Sequence, residues 1–172
     1  CVRIDQLIQQ ILNYSKLEHD NSSLESCDLN ALCRQVIDNM AVSFPATPIH
    51  LATSNNIAIA AYPEPLQQAF DNIIGNACKY SPGGKPVEIS ITEHKNSVNI
   101  AVRDYGPGVD ESEMSKLLEP FYRAGNQMHT SGFGLGLSIA LKAINKHQGE
   151  LHMTKPQGGG LCVEIRLLRK QG

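Results

Sequence analysis

The chain has 172 residues, of which 41% are hydrophobic, and a formal net charge of −2. That length allows one ordinary domain with a hydrophobic core and a small appendage. The near-neutral charge, without a run of five basic residues, argues against a nucleic-acid partner. The cysteines form no CxxC pair, so we expect reduced thiols of a cytosolic protein, several of them packed in the core.

The first predicted element is an amphipathic helix within residues 1–20. Its apolar stripe repeats at a spacing of three or four and consists of Ile4, Leu7, Ile11 and Tyr14. A lone helix of this kind is marginal in water, so we expect the stripe to pack on partner helices.

A separate domain is predicted over residues 28–170, after a polar linker at residues 21–27. Asp28 is expected to cap its first helix. By apolar periodicity and turn signals, the helices span residues 29–43, 64–79, 111–118 and 135–147. The strands span residues 49–53, 57–60, 87–93, 97–103, 150–153 and 161–167. We interpret the first two strands as a hairpin across Ser54-Asn55-Asn56.

The order of these elements predicts an α/β (α+β) two-layer sandwich, in which one mixed sheet is covered on one face by about three helices. Strands and helices do not alternate regularly, which argues against a doubly wound parallel fold. The polar stretch at residues 119–131 has no helical or strand period, and we expect it to be a mobile lid.

The first candidate motif is Asn72-Ile73-Ile74-Gly75-Asn76-Ala77-Cys78-Lys79-Tyr80. On a helix, Asn72, Asn76 and Lys79 share one face, with Tyr80 beside them. Asparagine offers a neutral oxygen to a hard cation, and lysine offers a compact positive charge to a phosphate. The alternative is an amphipathic helix with an ordinary polar face.

Two glycine-rich motifs follow. Asp104-Tyr105-Gly106-Pro107-Gly108 comes directly after a strand, where glycine lets the backbone approach a ligand and a carboxylate can meet an amino group. Gly132-Phe133-Gly134-Leu135-Gly136-Leu137 leads into a helix, whose free N–H groups suit a phosphate. Taken alone, the first is also compatible with a tight turn and the second with a flexible hinge.

Together, in this order and at these separations, the three motifs resemble the N box and the two glycine boxes of bacterial sensor histidine kinases. Pro120-Phe121-Tyr122-Arg123 resembles the F box of that family. The resemblance covers about residues 29–169 and implies the Bergerat-type ATP-binding fold. The first helix resembles the second helix of the family's dimerisation and phosphoacceptor hairpin.

The resemblance implies ATP and Mg²⁺ as cofactors and a catalytic role for three residues of the first motif. Asn76 would ligate Mg²⁺ through its side-chain oxygen, and Asn72 would support the metal and phosphate site. Lys79 would contact the phosphates. Tyr80 would lie against the adenine.

The other implied binding residues lie in the later motifs. Asp104 would accept a hydrogen bond from the adenine amino group, which selects adenine over guanine. Room for the base would come from Gly106 and Gly108. The residues implied to close over the phosphates are Gly132, Gly134, Leu135 and Gly136. Arg123 would reach the γ-phosphate.

The residue one turn before Asn76 separates a kinase from an ATPase. Related ATPases and topoisomerases of this fold carry a water-activating glutamate there, whereas this chain has Asn72, which cannot act as a base near neutral pH. We therefore expect slow hydrolysis and transfer of the γ-phosphoryl group to a histidine.

The acceptor histidine is expected upstream of this chain. The family's acceptor is followed by an acidic residue and, a few residues on, a proline. No histidine here has that context; His19-Asp20 comes nearest but lacks the proline, and His129 is a candidate only for contact with the ligand.

The resemblance also implies partners and a location. The full-length protein would be a membrane-anchored homodimer that passes its phosphoryl group to a response regulator. This part would be the cytoplasmic domain of an inner-membrane sensor. Two alternatives stay open: a nucleotide-binding signalling module without kinase activity, and another ATPase of the fold, such as a mismatch-repair or chaperone ATPase.

Overall fold

The computed structural model describes residues 2–19, 22–53, 56–125 and 132–169. The helices are α1 Val2–His19, α2 Leu29–Ser43, α3 Pro63–Tyr80, α4 Glu111–Met114, a 3₁₀ turn at Ser115–Leu118, and α5 Gly136–Lys146. The strands are β1 Glu25–Asp28, β2 Ile49–Thr53, β3 Ala58–Ala61, β4 Val87–Glu93, β5 Ser97–Arg103, β6 Glu150–Thr154 and β7 Cys162–Leu168.

The main sheet is mixed and has five strands in the order β2-β4-β5-β7-β6. β2 runs parallel to β4, and the other neighbours are antiparallel. Alternate side chains of β4 and β5, such as Ile89 and Ile100, are buried under the helices. The predicted mixed sheet and helical layer are confirmed.

The predicted hairpin at residues 49–60 is wrong. β2 joins the edge of the main sheet, whereas β3 pairs antiparallel with β1 in a separate two-stranded sheet. The last residues of the segment interpreted as a linker therefore belong to a strand. Period-two alternation shows which face of a strand is buried, and it does not identify the partner strand.

Three helices, α2, α3 and α5, pack against the sheet and against one another. Asp28 caps α2 as predicted, because its Oδ1 accepts from the N–H groups of Asn30 at 2.9 Å and Ala31 at 3.1 Å. The α3 residues predicted to face the core are buried: Ile73, Ile74 and Ala77. Their burial turns the opposite face of α3, with its polar residues, outward from the core.

Helix α1 lies against the rest of the molecule with part of its apolar stripe. Lys142 Nζ of α5 lies 3.6 Å from the centroid of the Tyr14 ring, and Leu17 packs against the core. Other apolar side chains of α1 stay exposed: Ile4, Ile8, Ile11 and Leu12. None of the helices among the described residues is long and apolar enough to span a bilayer.

The described cysteines carry free thiols. Cys27, Cys33 and Cys78 are buried, and Cys162 is half-buried. Burial raises the pKa of the Cys33 thiol to about 12 and that of Cys78 to about 11. Because thiolates are the reactive form, these cysteines are packing residues, as predicted.

Candidate functional site

A cleft of about 560 Å³ opens between α3, the loop after β5 and the segment that precedes α5. All the predicted site residues except Gly106 line it: Asn72, Asn76, Lys79, Tyr80, Asp104, Gly108, Arg123, Gly132, Gly134, Leu135 and Gly136. The three motifs, which are far apart in the chain, therefore meet in one cavity.

Asp104 is the buried carboxylate of the cleft, with 6% of its surface exposed. Its Oδ1 accepts hydrogen bonds from the backbone N–H groups of Gly106 at 2.8 Å and Leu161 at 3.2 Å. Burial raises the pKa of this carboxyl, although both hydrogen bonds and the charge of Arg103 act in the opposite direction. Since both bonds end on Oδ1, a ligand can donate to Oδ2 without displacing either.

Close backbone packing fixes the turn that follows Asp104. A Cβ on Gly106 would lie 2.5 Å from the carbonyl oxygen of Tyr80, and one on Gly108 would lie 3.1 Å from that of Gly160. These two glycines thus have a packing role in addition to the room for a base that the resemblance implies.

Gly160 packs against Asp104, although the sequence indicated only a turn there. Its φ is +83°, and a Cβ at this position would collide with the carbonyl oxygen of Asp104. The adjacent Leu161 supplies one of the two N–H donors to the Asp104 carboxylate. The run of three glycines was the available signal, but spacing alone does not show which of them contacts another loop.

The amide side chains of α3 face the start of α5. Nδ2 of Asn72 donates to the carbonyl oxygen of Gln68 at 2.8 Å, so its Oδ1 points to the cleft, 3.2 Å from where a Cβ on Gly136 would lie. Nδ2 of Asn76 lies 3.3 Å from the same point. A side chain at position 136 would therefore press on both amides.

Lys79 places its ammonium group between Tyr80 and Gly132. Its Nζ lies 3.3 Å from the Tyr80 hydroxyl oxygen and 4.8 Å from the ring centroid. A Cβ on Gly132 would lie 2.7 Å from Nζ. The positive charge of α3 thus lies directly beside the last glycine-rich motif, where an anion can meet both.

The segment around Arg123 is joined to the start of α5. The N–H of Phe121 donates to the carbonyl oxygen of Gly134 at 2.9 Å, and a Cβ on Gly134 would lie 2.5 Å from the carbonyl oxygen of Tyr122. Residues 126–131, which include His129 and half of the predicted lid, lie outside the described residues.

Helices α1 and α2 also contribute to the cleft, which the sequence did not indicate. The lining includes Gln6, Gln9, Gln10, Met40 and Phe44. The amphipathic pattern of α1 predicted a partner for its apolar stripe, and its glutamines fitted an ordinary solvated face. Their place in the cleft depends on how α1 docks, which local spacing does not encode.

Comparison with known proteins gives a consistent picture. The family model described as histidine kinase-, DNA gyrase B-, and HSP90-like ATPase matches residues 61–171. The sensor protein kinases WalK of Staphylococcus saprophyticus subsp. saprophyticus and of Staphylococcus haemolyticus are each 28% identical over 96% of this chain. The chain spans about 28% of the length of these two relatives.

Solved structures share the fold. The ATP-binding domain of PrrB from Mycobacterium tuberculosis has a TM-score of 0.73 and 25% identity, over 87% of this chain and 100% of that one. Full-length ShkA, in complex with AMPPNP, has a TM-score of 0.82 and 24% identity, over 97% of this chain and 36% of that one. Because the family model covers more than half of its length, this chain belongs to the histidine kinase-, DNA gyrase B- and HSP90-like ATPase family.

Proposed function

We propose that this chain is the ATP-binding catalytic part of a sensor histidine kinase, which transfers the γ-phosphoryl group of ATP to a histidine upstream of it. One observation carries the proposal. A buried carboxylate, a lysine and two side-chain amides line a single cleft. In the proposal the base lies by Asp104, Gly106, Gly108 and Gly160, which we call the adenine end. The phosphates lie by Asn72, Asn76, Lys79 and Gly132, which we call the phosphate end.

At the adenine end, Asp104 accepts a hydrogen bond from the exocyclic amino group of adenine. A base with a carbonyl oxygen in that place would set two acceptors against each other, which disfavours guanine. The carboxylate is oriented before the ligand arrives, because Gly106 and Leu161 already donate to its Oδ1. Tyr80 also lines the cleft, which supports the proposal that its ring lies against the base.

At the phosphate end, Lys79 and the N–H groups near the start of α5 attract the phosphate chain. The side-chain oxygens of Asn72 and Asn76 fit Mg²⁺, which is commonly held by a few protein oxygens together with substrate phosphates and water. When bound, the ion would neutralise charge on the phosphates. Asn76 is the proposed ligand, and Asn72 supports it.

Transfer to a histidine, rather than hydrolysis, is supported by the chemistry of Asn72. Its Nδ2 already donates to the carbonyl oxygen of Gln68, and an amide cannot take a proton from water near neutral pH. The site therefore aligns ATP without activating a water molecule. An incoming imidazole brings its own nucleophile, so positioning and charge neutralisation suffice.

The wider setting is part of the same proposal. The WalK relatives are sensor protein kinases, which supports a response regulator as the partner that receives the phosphoryl group. The exposed Ile4, Ile8, Ile11 and Leu12 of α1 support a partner helix and thus a homodimeric full-length protein. Membrane anchoring of that protein, with this part in the cytoplasm, is the remaining part of the proposal.

A longer protein that includes the upstream helix tests the proposal directly. Incubated with radiolabelled ATP and Mg²⁺, it should acquire acid-labile label on one histidine of that helix. Binding of ATP without any such label would contradict kinase activity and favour a nucleotide-binding signalling module. The same protein with the upstream histidine replaced by glutamine is the control.

A further inference from the structure

Glu113 of α4 holds both ends of the short turn that contains Arg123. Its Oε1 accepts a hydrogen bond from the Tyr122 hydroxyl at 2.7 Å and a long one from the Gly125 N–H at 3.5 Å. These two donors lie on either side of Arg123 and Ala124. One carboxylate oxygen therefore closes a four-residue turn next to the cleft.

The same turn is anchored by packing. Ala124 is fully buried in a small cluster with Val109 and Leu117, and Tyr122 packs against that cluster. On the other side, the N–H of Phe121 donates to the carbonyl oxygen of Gly134. The turn is thus joined to α4, to a local core and to the segment that opens α5.

The hydrogen bond between Tyr122 and Glu113 joins a neutral donor to a carboxylate, which makes it stronger than a bond between two neutral groups. It is the main cause that raises the pKa of the Tyr122 hydroxyl. Lys116, on the 3₁₀ turn that directly follows α4, places its Nζ 6.0 Å from the centroid of the Tyr122 ring. The tyrosine is therefore held by its hydroxyl while a cation lies over its ring.

A fixed backbone around Arg123 would favour the binding of an anion by its side chain. Its side chain lines the cleft, and an arginine on an unrestrained turn loses much conformational entropy when it binds an anion. Fixing the backbone on both sides of it lowers that cost before the nucleotide binds.

We propose that Glu113 and Tyr122 are positioning residues that hold Arg123 at the terminal phosphate of ATP. The inference rests on the proposed function, because it requires a nucleotide in this cleft. ADP lacks the γ-phosphate, so the signature is the ratio of the affinities for ATP and ADP. A purely structural contact would change both affinities together.

Calorimetry with Mg²⁺ and either ADP or a non-hydrolysable ATP analogue measures this ratio on the 172-residue chain. We expect Tyr122→Phe and Glu113→Met, each of which removes one partner of the hydrogen bond, to lower the preference for the triphosphate about 3- to 10-fold, with ADP affinity nearly unchanged. Arg123→Gln should lower it at least as much, and adding Tyr122→Phe to Arg123→Gln should have no further effect.

Glu88→Met is the matched control. Glu88 on β4 accepts from the hydroxyl of Tyr105 at 2.9 Å, an exposed tyrosine–glutamate bond of the same kind. Its substitution should leave the triphosphate preference unchanged. If Tyr122→Phe proves unfolded by circular dichroism, the test uses Glu113→Met, which keeps the length of the side chain and has no acceptor oxygen.

The outcomes separate the inference from the proposed function. A wild-type chain that binds neither nucleotide overturns both. A wild-type chain that prefers the triphosphate, with the same preference in Tyr122→Phe and Glu113→Met, overturns the positioning role alone. Equal loss of both affinities in these variants also overturns it, because the contact would then only support the fold.

Discussion

At the adenine end of the cleft, the parts that contact one another are mostly backbone, whereas at the phosphate end they are mostly side chains. Gly106 packs on the carbonyl group of Tyr80, and Gly160 packs on that of Asp104. By contrast, Gly132 contacts the tip of the flexible Lys79 side chain. One end is therefore fixed by the main chain, and the other can adjust.

The difference fits two tasks. Discrimination between bases needs an acceptor whose position does not change, because specificity comes from leaving wrong partners unpaired. Phosphoryl transfer needs side chains that follow the phosphates as they gain and lose a group, and a segment that can close over them. Substitutions at the two ends should therefore affect different properties: stability and nucleotide affinity at the adenine end, and phosphoryl transfer at the phosphate end.

The largest effect is expected from Asn76→Ala at the phosphate end. Loss of the proposed metal ligand should lower phosphoryl transfer by a longer protein by a factor on the order of a hundred or more. Alanine favours the helix, so the thermal midpoint should hold. Transfer rates measured with radiolabelled ATP check this, with Asn99→Ala, at an exposed position of β5, as the control. Robust transfer from Asn76→Ala would remove this residue from the site.

Gly160→Ala should damage the adenine end through the backbone. Gly159 is its matched control: its φ is +89°, close to the +83° of Gly160, but a Cβ there has open space. Gly159→Ala should cost roughly 1–2 kcal/mol of backbone strain. Gly160→Ala adds a collision with Asp104, so urea denaturation should show a further loss of about 2 kcal/mol or more. Equal losses in the two variants would contradict the contact.

Asp104→Asn should lower the affinity for nucleotides without lowering the stability of the fold. An asparagine Oδ1 can still accept from Gly106 and Leu161, whereas its Nδ2 meets the adenine amino group as a second donor. We expect ATP and ADP affinity to fall about tenfold or more, since a charge-assisted hydrogen bond contributes about 1.5–3 kcal/mol. The thermal midpoint at neutral pH should stay equal or rise, because an unfavourably buried charge is removed. Calorimetry and thermal melts check both; unchanged affinity would contradict the assignment.

A smaller effect is expected from pH. Burial raises the folded-state pKa of Asp104 above the usual 3.8, so the stability that its neutral form contributes is fully present below that value and is lost as pH rises through the folded pKa. Binding has the opposite sign, since it uses the carboxylate. ADP affinity should therefore fall severalfold between about pH 7 and pH 4, and the fall should be smaller in Asp104→Asn. Parallel titration curves for the two proteins would argue against Asp104 as the titrating group.

Features that depend on neighbouring residues of the sequence were predicted, whereas the pairing of strands from different parts of the chain was not. Helix α2 was predicted with its bounds, because Asp28 and Pro45 mark its two ends. The facing of Asn72, Asn76 and Lys79 followed from helical spacing. The pairing of β2 and β3 was wrong, because alternation is a property of one strand and pairing is a property of two.

The parts of the cleft that the sequence did not predict are backbone contacts between residues far apart in the chain. Leu161 donates to Asp104 across a separation of 57 residues, and Gly160 meets the same loop. A backbone N–H carries no residue-type signature, so nothing in the sequence marks Leu161 as a donor. Glu113 was not predicted for a related reason. Its contact with Tyr122 depends on how the chain between the two residues folds back, which local periodicity does not encode.

The smallest effect is expected from the chain without an acceptor histidine, which should show neither autophosphorylation nor fast hydrolysis of ATP. Autophosphorylation needs a histidine within hydrogen-bonding distance of the γ-phosphate, and no histidine of the sequence has the acceptor context of the family. Fast hydrolysis needs a base beside the attacking water, and Asn72 cannot serve.

These 172 residues should therefore bind ATP and Mg²⁺ yet neither label themselves nor turn ATP over near the ~10 s⁻¹ median of enzymes. Labelled ATP, a phosphohistidine assay and a phosphate-release assay check this, with the longer protein as the positive control. Stoichiometric label on any one of the six histidines, lost when that residue is replaced, would overturn it. Rapid phosphate release would instead show that a base acts in the cleft despite Asn72, and the phosphate end would then belong to an ATPase.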